Sequence, residues 1–135
     1  MKTPLRLKGM TLTELLVVLA ILGILLLLAF PVLKPIFVKT YSMEAKTNLK
    51  HLADLQDIHF MEKISYSDRF QTIGFEQAKL VTEENGTAHY QIEILQADRN
   101  NFLARATAIT DFDGDGTFNV WEVDKNGLPK EVVPD

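Results

Sequence analysis

From Leu15 to Leu33 the chain carries no charged residue, and a single carboxylate, Glu14, stands at the head of that run. As a helix rising about 1.5 Å per residue, the run would extend about 28 Å, close to the roughly 30 Å of one bilayer core. Drawing a carboxylate to the centre of such a helix costs about 2.5–3.5 kcal/mol. A chain that carries this cost has a use for the charge.

The flanks set the orientation. Lys2, Arg6 and Lys8 precede Gly9 with no acidic residue among them. Basic residues next to a span stay on the cytoplasmic side, so the N-terminus is expected inside and the remainder outside. The rest is acidic, with eleven basic residues against eighteen acidic ones. That balance argues against direct nucleic-acid binding, which leaves a basic footprint. At 135 residues the chain is one small domain plus the apolar segment. Cysteine is absent, so an exported domain would rely on packing or a metal rather than a disulfide. A secretory signal peptide fits poorly, because the apolar run exceeds the usual length of about 7–15 residues. It is also followed by Pro31, Lys34 and Pro35 instead of a small-residue cleavage site. A plain membrane anchor explains the length and flanks but gives Glu14 nothing to do.

The segment Lys8-Gly9-Met10-Thr11-Leu12-Thr13-Glu14, leading into an apolar run that contains Pro31, resembles the N-terminus of type IV pilins and the related pseudopilins. The resemblance implies cleavage by prepilin peptidase between Gly9 and Met10 and methylation of the new Met10 amine. It also implies a helical homo-polymer in which Glu14 of one subunit meets the Met10 amine of another. Physical chemistry agrees: an amine and a carboxylate that meet among apolar helices relieve each other's desolvation, and only the correct axial stagger brings them together. Met10 stands where the family usually has Phe, a swap between large apolar residues. Thr13 replaces an aliphatic residue, at small cost if its hydroxyl bonds back to its own helix. In the family, positions similar to Gly23 and Pro31 bracket a stretch that loses helix in the filament. Apart from the family, both residues read as a gentle kink. Pro35 adds a second bend that the family does not lead one to expect.

Helical spacing resumes after Pro35. Val38, Tyr41, Ala45, Leu49, Leu52 and Leu55 recur at intervals of three and four, marking one face of an amphipathic helix. His51 and His59 lie on this helix and read as surface or rim residues, because no third ligand at metal spacing accompanies them. Residues 64–75 break the pattern and are similar to the linker of many pilins, with a Tyr-Ser turn and a Gly-Phe pair. Strands are expected at Ala78–Val81, Ala88–Leu95, Phe102–Ala108 and Phe118–Val123, the first two joined in a hairpin at Glu84-Asn85-Gly86.

Asp111-Phe112-Asp113-Gly114-Asp115-Gly116, with Glu122 at the twelfth place, satisfies the calcium-loop pattern. Three carboxylates so close together repel, and a hard divalent cation relieves them. The flanks read as strands rather than the two helices of an EF-hand. An extended Phe118–Val123 at about 3.3 Å per residue carries Glu122 away from the other three. Asp111, Asp113 and Asp115 are therefore the candidate ligands, with the Thr117 carbonyl able to join them and Glu122 set apart. A structural calcium of weak affinity, about 10⁻⁴–10⁻³ M, would serve as the missing staple; a solvated Asp-Gly turn is the plainer alternative.

The expected architecture is α+β and pilin-like. A leader occupies residues 1–9, a transmembrane or filament-core helix 10–35 and an amphipathic helix 36–62. The small antiparallel sheet domain, with its Asp-rich loop, occupies 63–135. No nucleophile–base signature or phosphate loop is present, so no enzyme chemistry or required cofactor is expected. The resemblance implies a pilus subunit on the major-pilin pattern, passing from inner membrane to cell surface through a pilus assembly machinery. A pseudopilin of a type II secretion system and a membrane-anchored calcium-binding module that does not polymerise stand as alternatives.

Overall fold

The computed structural model describes residues 9–135, without the side chains of residues 32–34, and the basic leader expected at residues 1–8 lies outside the described residues. The chain divides into two units, residues 1–34 and Pro35–Asp135. One helix, α1, runs from Leu12 to Lys63. It stays helical across Gly23, Pro31 and Pro35. A proline forfeits a single i→i−4 bond, and the flanking turns keep theirs.

Every position from Gly9 to Pro31 is exposed. Among the described residues, α1 is the one helix long and apolar enough to cross a membrane, and its apolar window is wholly unburied. A helix that is apolar all round is stable only within apolar surroundings.

In the second unit, α1 presents a buried stripe of Val38, Ser42, Ala45, Leu49, Leu52, Ala53 and Gln56. This stripe packs on an antiparallel meander of four strands: β1 (Tyr90–Ala97), β2 (Phe102–Ala108), β3 (Val120–Asp124) and β4 (Lys130–Val133). Alternation decides which face is inward. On β2 the inward residues are Phe102, Ala104, Ala106 and Ala108, and three alanines in a row let the helix approach the sheet closely. The outward residues carry charge instead. Glu93, Arg105, Glu122 and Lys130 face one another across all four strands in alternating sign.

Two side-chain amides close the core. Fully buried Gln56 donates to the Ser67 carbonyl (2.6 Å) and accepts from the Ser67 N–H (3.0 Å), fixing the chain where it turns back from the helix. Fully buried Asn119 accepts from the Tyr90 hydroxyl (2.7 Å) and Trp121 Nε1 (2.6 Å), and donates to Glu131 (2.8 Å) and the Val133 carbonyl (3.0 Å). One residue thereby ties β1, β3 and β4 together. Burial pushes the Tyr90 hydroxyl up to about 12.

Three expectations need correction. The segment 64–75 is not loop throughout: Phe70–Ile73 forms a helical turn, α2, ended by Gly74 at φ 75°, which delivers Phe75 to the core. Ala78–Val81 is not a strand. Leu80 and Ala88 form one isolated bridge around the Asn85-Gly86 turn, and β1 starts only at Tyr90. The reason is Gln77, whose amide takes the place of a neighbouring strand by bonding the Tyr90 carbonyl (3.1 Å) and the Ile92 N–H (2.9 Å). Finally, β4 was not expected, because Lys130–Val133 is too short to show alternation.

Candidate functional site

The head of α1 is built as a capping box. Thr11 precedes the first helical residue, and its Oγ1 accepts from the Glu14 N–H (3.3 Å). In return, Glu14 Oε2 accepts from the Thr11 N–H (2.8 Å) and hydroxyl (3.0 Å). Two orphan N–H groups of the helix start are thus satisfied reciprocally. The Thr-x-x-Glu spacing is the sequence signal of this motif. Met10 is 63 % exposed just ahead of the cap. Glu14 Oε1 carries no bond among the described residues.

The second candidate site is the loop between β2 and β3. Asp111 Oδ1 and Oδ2 accept from the N–H groups of Gly114 (2.6 Å) and Gly116 (2.8 Å). Asp113 accepts from the Asp115 N–H, and Asp115 from the Thr117 N–H. Gly114 and Gly116 lie at φ 82° and 91°, where a side chain would be strained, and so allow the tight coil. Phe112 anchors the loop by stacking on Tyr41 of α1 at 4.5 Å between ring centroids.

Carboxylate oxygens of Asp111, Asp113, Asp115 and Asp135 all lie within 4.8 Å of one another. This set could bind a metal ion. It brings the three expected ligands together and adds a fourth. Asp135 lies beyond β4, where no spacing rule links it to the loop, and it accepts from the N–H groups of Phe112 (3.1 Å) and Asp113 (3.3 Å). Burial holds its carboxyl above the usual range, and repulsion from Asp113 and Asp111 adds to this. Asp111 is held below the usual range, first by the Gly116 N–H. An all-carboxylate oxygen set suits a hard cation such as calcium.

Glu122 stands apart from this cluster, as its extended strand requires. On the outer face of the sheet it accepts from Arg105 Nε (2.8 Å) and Nη2 (2.6 Å). His51 sits against Phe75 at 5.9 Å and His59 lines a shallow hollow with Glu62 and Thr72. Neither joins a group of metal-binding side chains among the described residues.

Residues 6–30 match the family described as the prokaryotic N-terminal methylation motif. The chain is also 46 % identical over 68 residues to the type IV major pilin protein PilA of Myxococcus xanthus (strain DK1622). That similarity covers 50 % of this chain and 31 % of the relative, so the match spans about a third of the relative's length. With a long N-terminal helix packed on a four-stranded antiparallel sheet, the chain has a pilin-like α+β fold, is similar over half its length to a type IV major pilin, and matches the prokaryotic N-terminal methylation motif at residues 6–30.

Proposed function

We propose that this chain is a structural subunit of a type IV pilus, built on the major-pilin pattern. In this reading the apolar half of α1 holds the subunit in the inner membrane. Prepilin peptidase cuts after Gly9, the Met10 amine is methylated, and the assembly machinery stacks the subunits into a helical fibre at the cell surface. The observation that carries the reading is the unburied apolar N-terminal stretch of α1, whose one carboxylate, Glu14, sits four residues from the expected new terminus.

The capping box adds a reason for the position of Glu14. Its Oε2 is held by Thr11, which aims the carboxylate and leaves Oε1 for the Met10 amine of a neighbour. The stretch from Gly23 to Pro31 is the part that would lose helix on entering the filament. In this account a calcium ion at Asp111, Asp113, Asp115 and Asp135 closes the β2–β3 loop against the segment after β4 and replaces the staple that a cysteine-free domain lacks. A type II secretion pseudopilin would use the same helix head, and a fibre confined to the periplasm would favour that reading.

The test is Glu14→Ala in the full chain, produced in a cell with a pilus assembly system. Filaments should be lost or severely reduced while the subunit stays in the membrane. Normal filaments would contradict the register role. A wild-type chain that never polymerises would favour the membrane-anchored calcium-binding module.

A further inference from the structure

The outward side of α1 in the second unit is not the polar surface that an amphipathic helix normally shows to water. At about 100° per residue, Met43, Thr47, Lys50, Asp54, Ile58 and Met61 share one stripe, opposite the buried Ala45, Leu49 and Gln56. Met43, Ile58 and Met61 are 60 %, 54 % and 82 % exposed. A single ion pair stands among them. Lys50 donates to Asp54 Oδ1, and both side chains are half-exposed. Lys46, one turn earlier, lies over the Trp121 ring at 4.4 Å instead. The β3–β4 turn flanks the stripe where Gly127 approaches the Lys50 ammonium.

This pair repeats the arrangement at the head of the helix. There Glu14 follows the expected Met10 amine by four residues, Thr11 holds its Oε2, and Oε1 carries no bond among the described residues. Here Asp54 follows Lys50 by four residues, Lys50 holds its Oδ1, and Oδ2 carries no bond among the described residues. The cation comes first in both. Among the described residues Lys50–Asp54 is the only ion pair within α1.

Two identical subunits that touch in a helical fibre are offset by one fixed axial shift, which acts on every residue alike. A shift of four helical residues, about 6 Å, sets Glu14 beside the neighbour's Met10 amine. The same shift sets Asp54 beside the neighbour's Lys50, whatever the course of the chain between the two marks. It also sets Thr47 beside the neighbour's Met43, a small residue against a large one.

We propose that the occupant of this stripe is the same stripe of a second copy of this chain, shifted by four residues, with Asp54 shared between its own Lys50 and the neighbour's. A carboxylate has acceptor capacity for both ammonium groups. The contact rests on the filament reading above and adds to it a second register mark, in the folded domain. Charges arranged in this way fix register and reject wrong offsets.

Lys50→Glu and Asp54→Lys test it in the full chain, produced separately and then together in one cell with a pilus assembly system. Each alone sets like charges side by side and should lower filament yield on the order of tenfold, at unchanged membrane levels of subunit. Produced together, the two chains should restore filaments, because each offers the charge that the other lacks while the internal pair stays broken in both. A yield indifferent to either reversal, or no rescue in the mixture, would overturn the contact and leave the filament standing. Because the chain has no cysteine, Met43→Cys and Thr47→Cys chains can also be mixed and their filaments treated with a short bis-maleimide. A cross-linked heterodimer is expected in excess of either homodimer. Filaments without it, or a cross-link to a different protein, would remove the second copy as occupant. If the unaltered chain forms no filament, the filament reading falls, and this contact with it.

Discussion

The two halves of α1 differ in where their partners are. The stretch from Leu15 to Pro31 is apolar on every side and none of it is buried. The half after Pro35 is amphipathic and buries one stripe against four strands. A helix that completes its own core needs only its own sequence, whereas one that is apolar all round requires lipid or other copies. In the proposed reading, folding and assembly are thus separated along one helix, with Glu14 at the head of the apolar half.

This contrast can be broken by single substitutions. Leu22→Arg should cost about 2.5–3.5 kcal/mol at the centre of a bilayer and remove the subunit from membranes and filaments. The thermal midpoint of the sheet domain should not move. Leu49→Ala should do the reverse, destabilising the domain by about 2–5 kcal/mol through a cavity. Membrane fractionation beside thermal denaturation reads both, and a domain unfolded by Leu22→Arg would erase the distinction.

Asn119→Ala should cost about 3 kcal/mol, because it leaves the buried Tyr90 hydroxyl and Trp121 N–H without acceptors. Denaturant midpoints check this, and a loss below about 1 kcal/mol would mean water replaces the side chain. Tyr90 supplies the pH arm. Its folded value of about 12 lies above the ordinary value of 10.0, so its contribution is intact below pH 10 and fades as pH rises toward 12. Phenolate absorbance should show one tyrosine titrating with the alkaline loss of structure.

Calcium is the next smaller effect. At a hundredfold excess over its dissociation constant, an ion bound only to the folded state adds about 2.7 kcal/mol. Melts with calcium and with chelator should separate, and Asp135→Asn should shrink the gap. Coincident midpoints would take the metal out of the account. Smallest is Ile64→Gly. Ile64 ends α1 at φ 56°, a left-handed conformation that costs a β-branched residue about 1–2 kcal/mol. Glycine there should stabilise the domain by about 1 kcal/mol.

What could be read in the chain followed from period and spacing. The i, i+3, i+4 recurrence identified Val38, Ala45, Leu49 and Leu52, all of them buried. Alternation found β2 in full and most of β1 and β3. The aspartate spacing found three members of the carboxylate cluster. What escaped depends on contacts distant in sequence. Asp135 meets Asp111 only because β3 and β4 return the chain to the loop. Gln56 and Asn119 look like surface residues until their partners are in place. Gln77 imitates a strand edge with one amide, which no local pattern announces.

In the proposed reading this chain is cut after Gly9, methylated at Met10 and polymerised through the head of α1. Intact-mass analysis of sheared filaments, with sequencing of the first residues, tests it most directly. The account predicts a chain beginning at Met10 and heavier by one methyl group. A filament subunit, or a membrane form, that still begins at Met1 would contradict it.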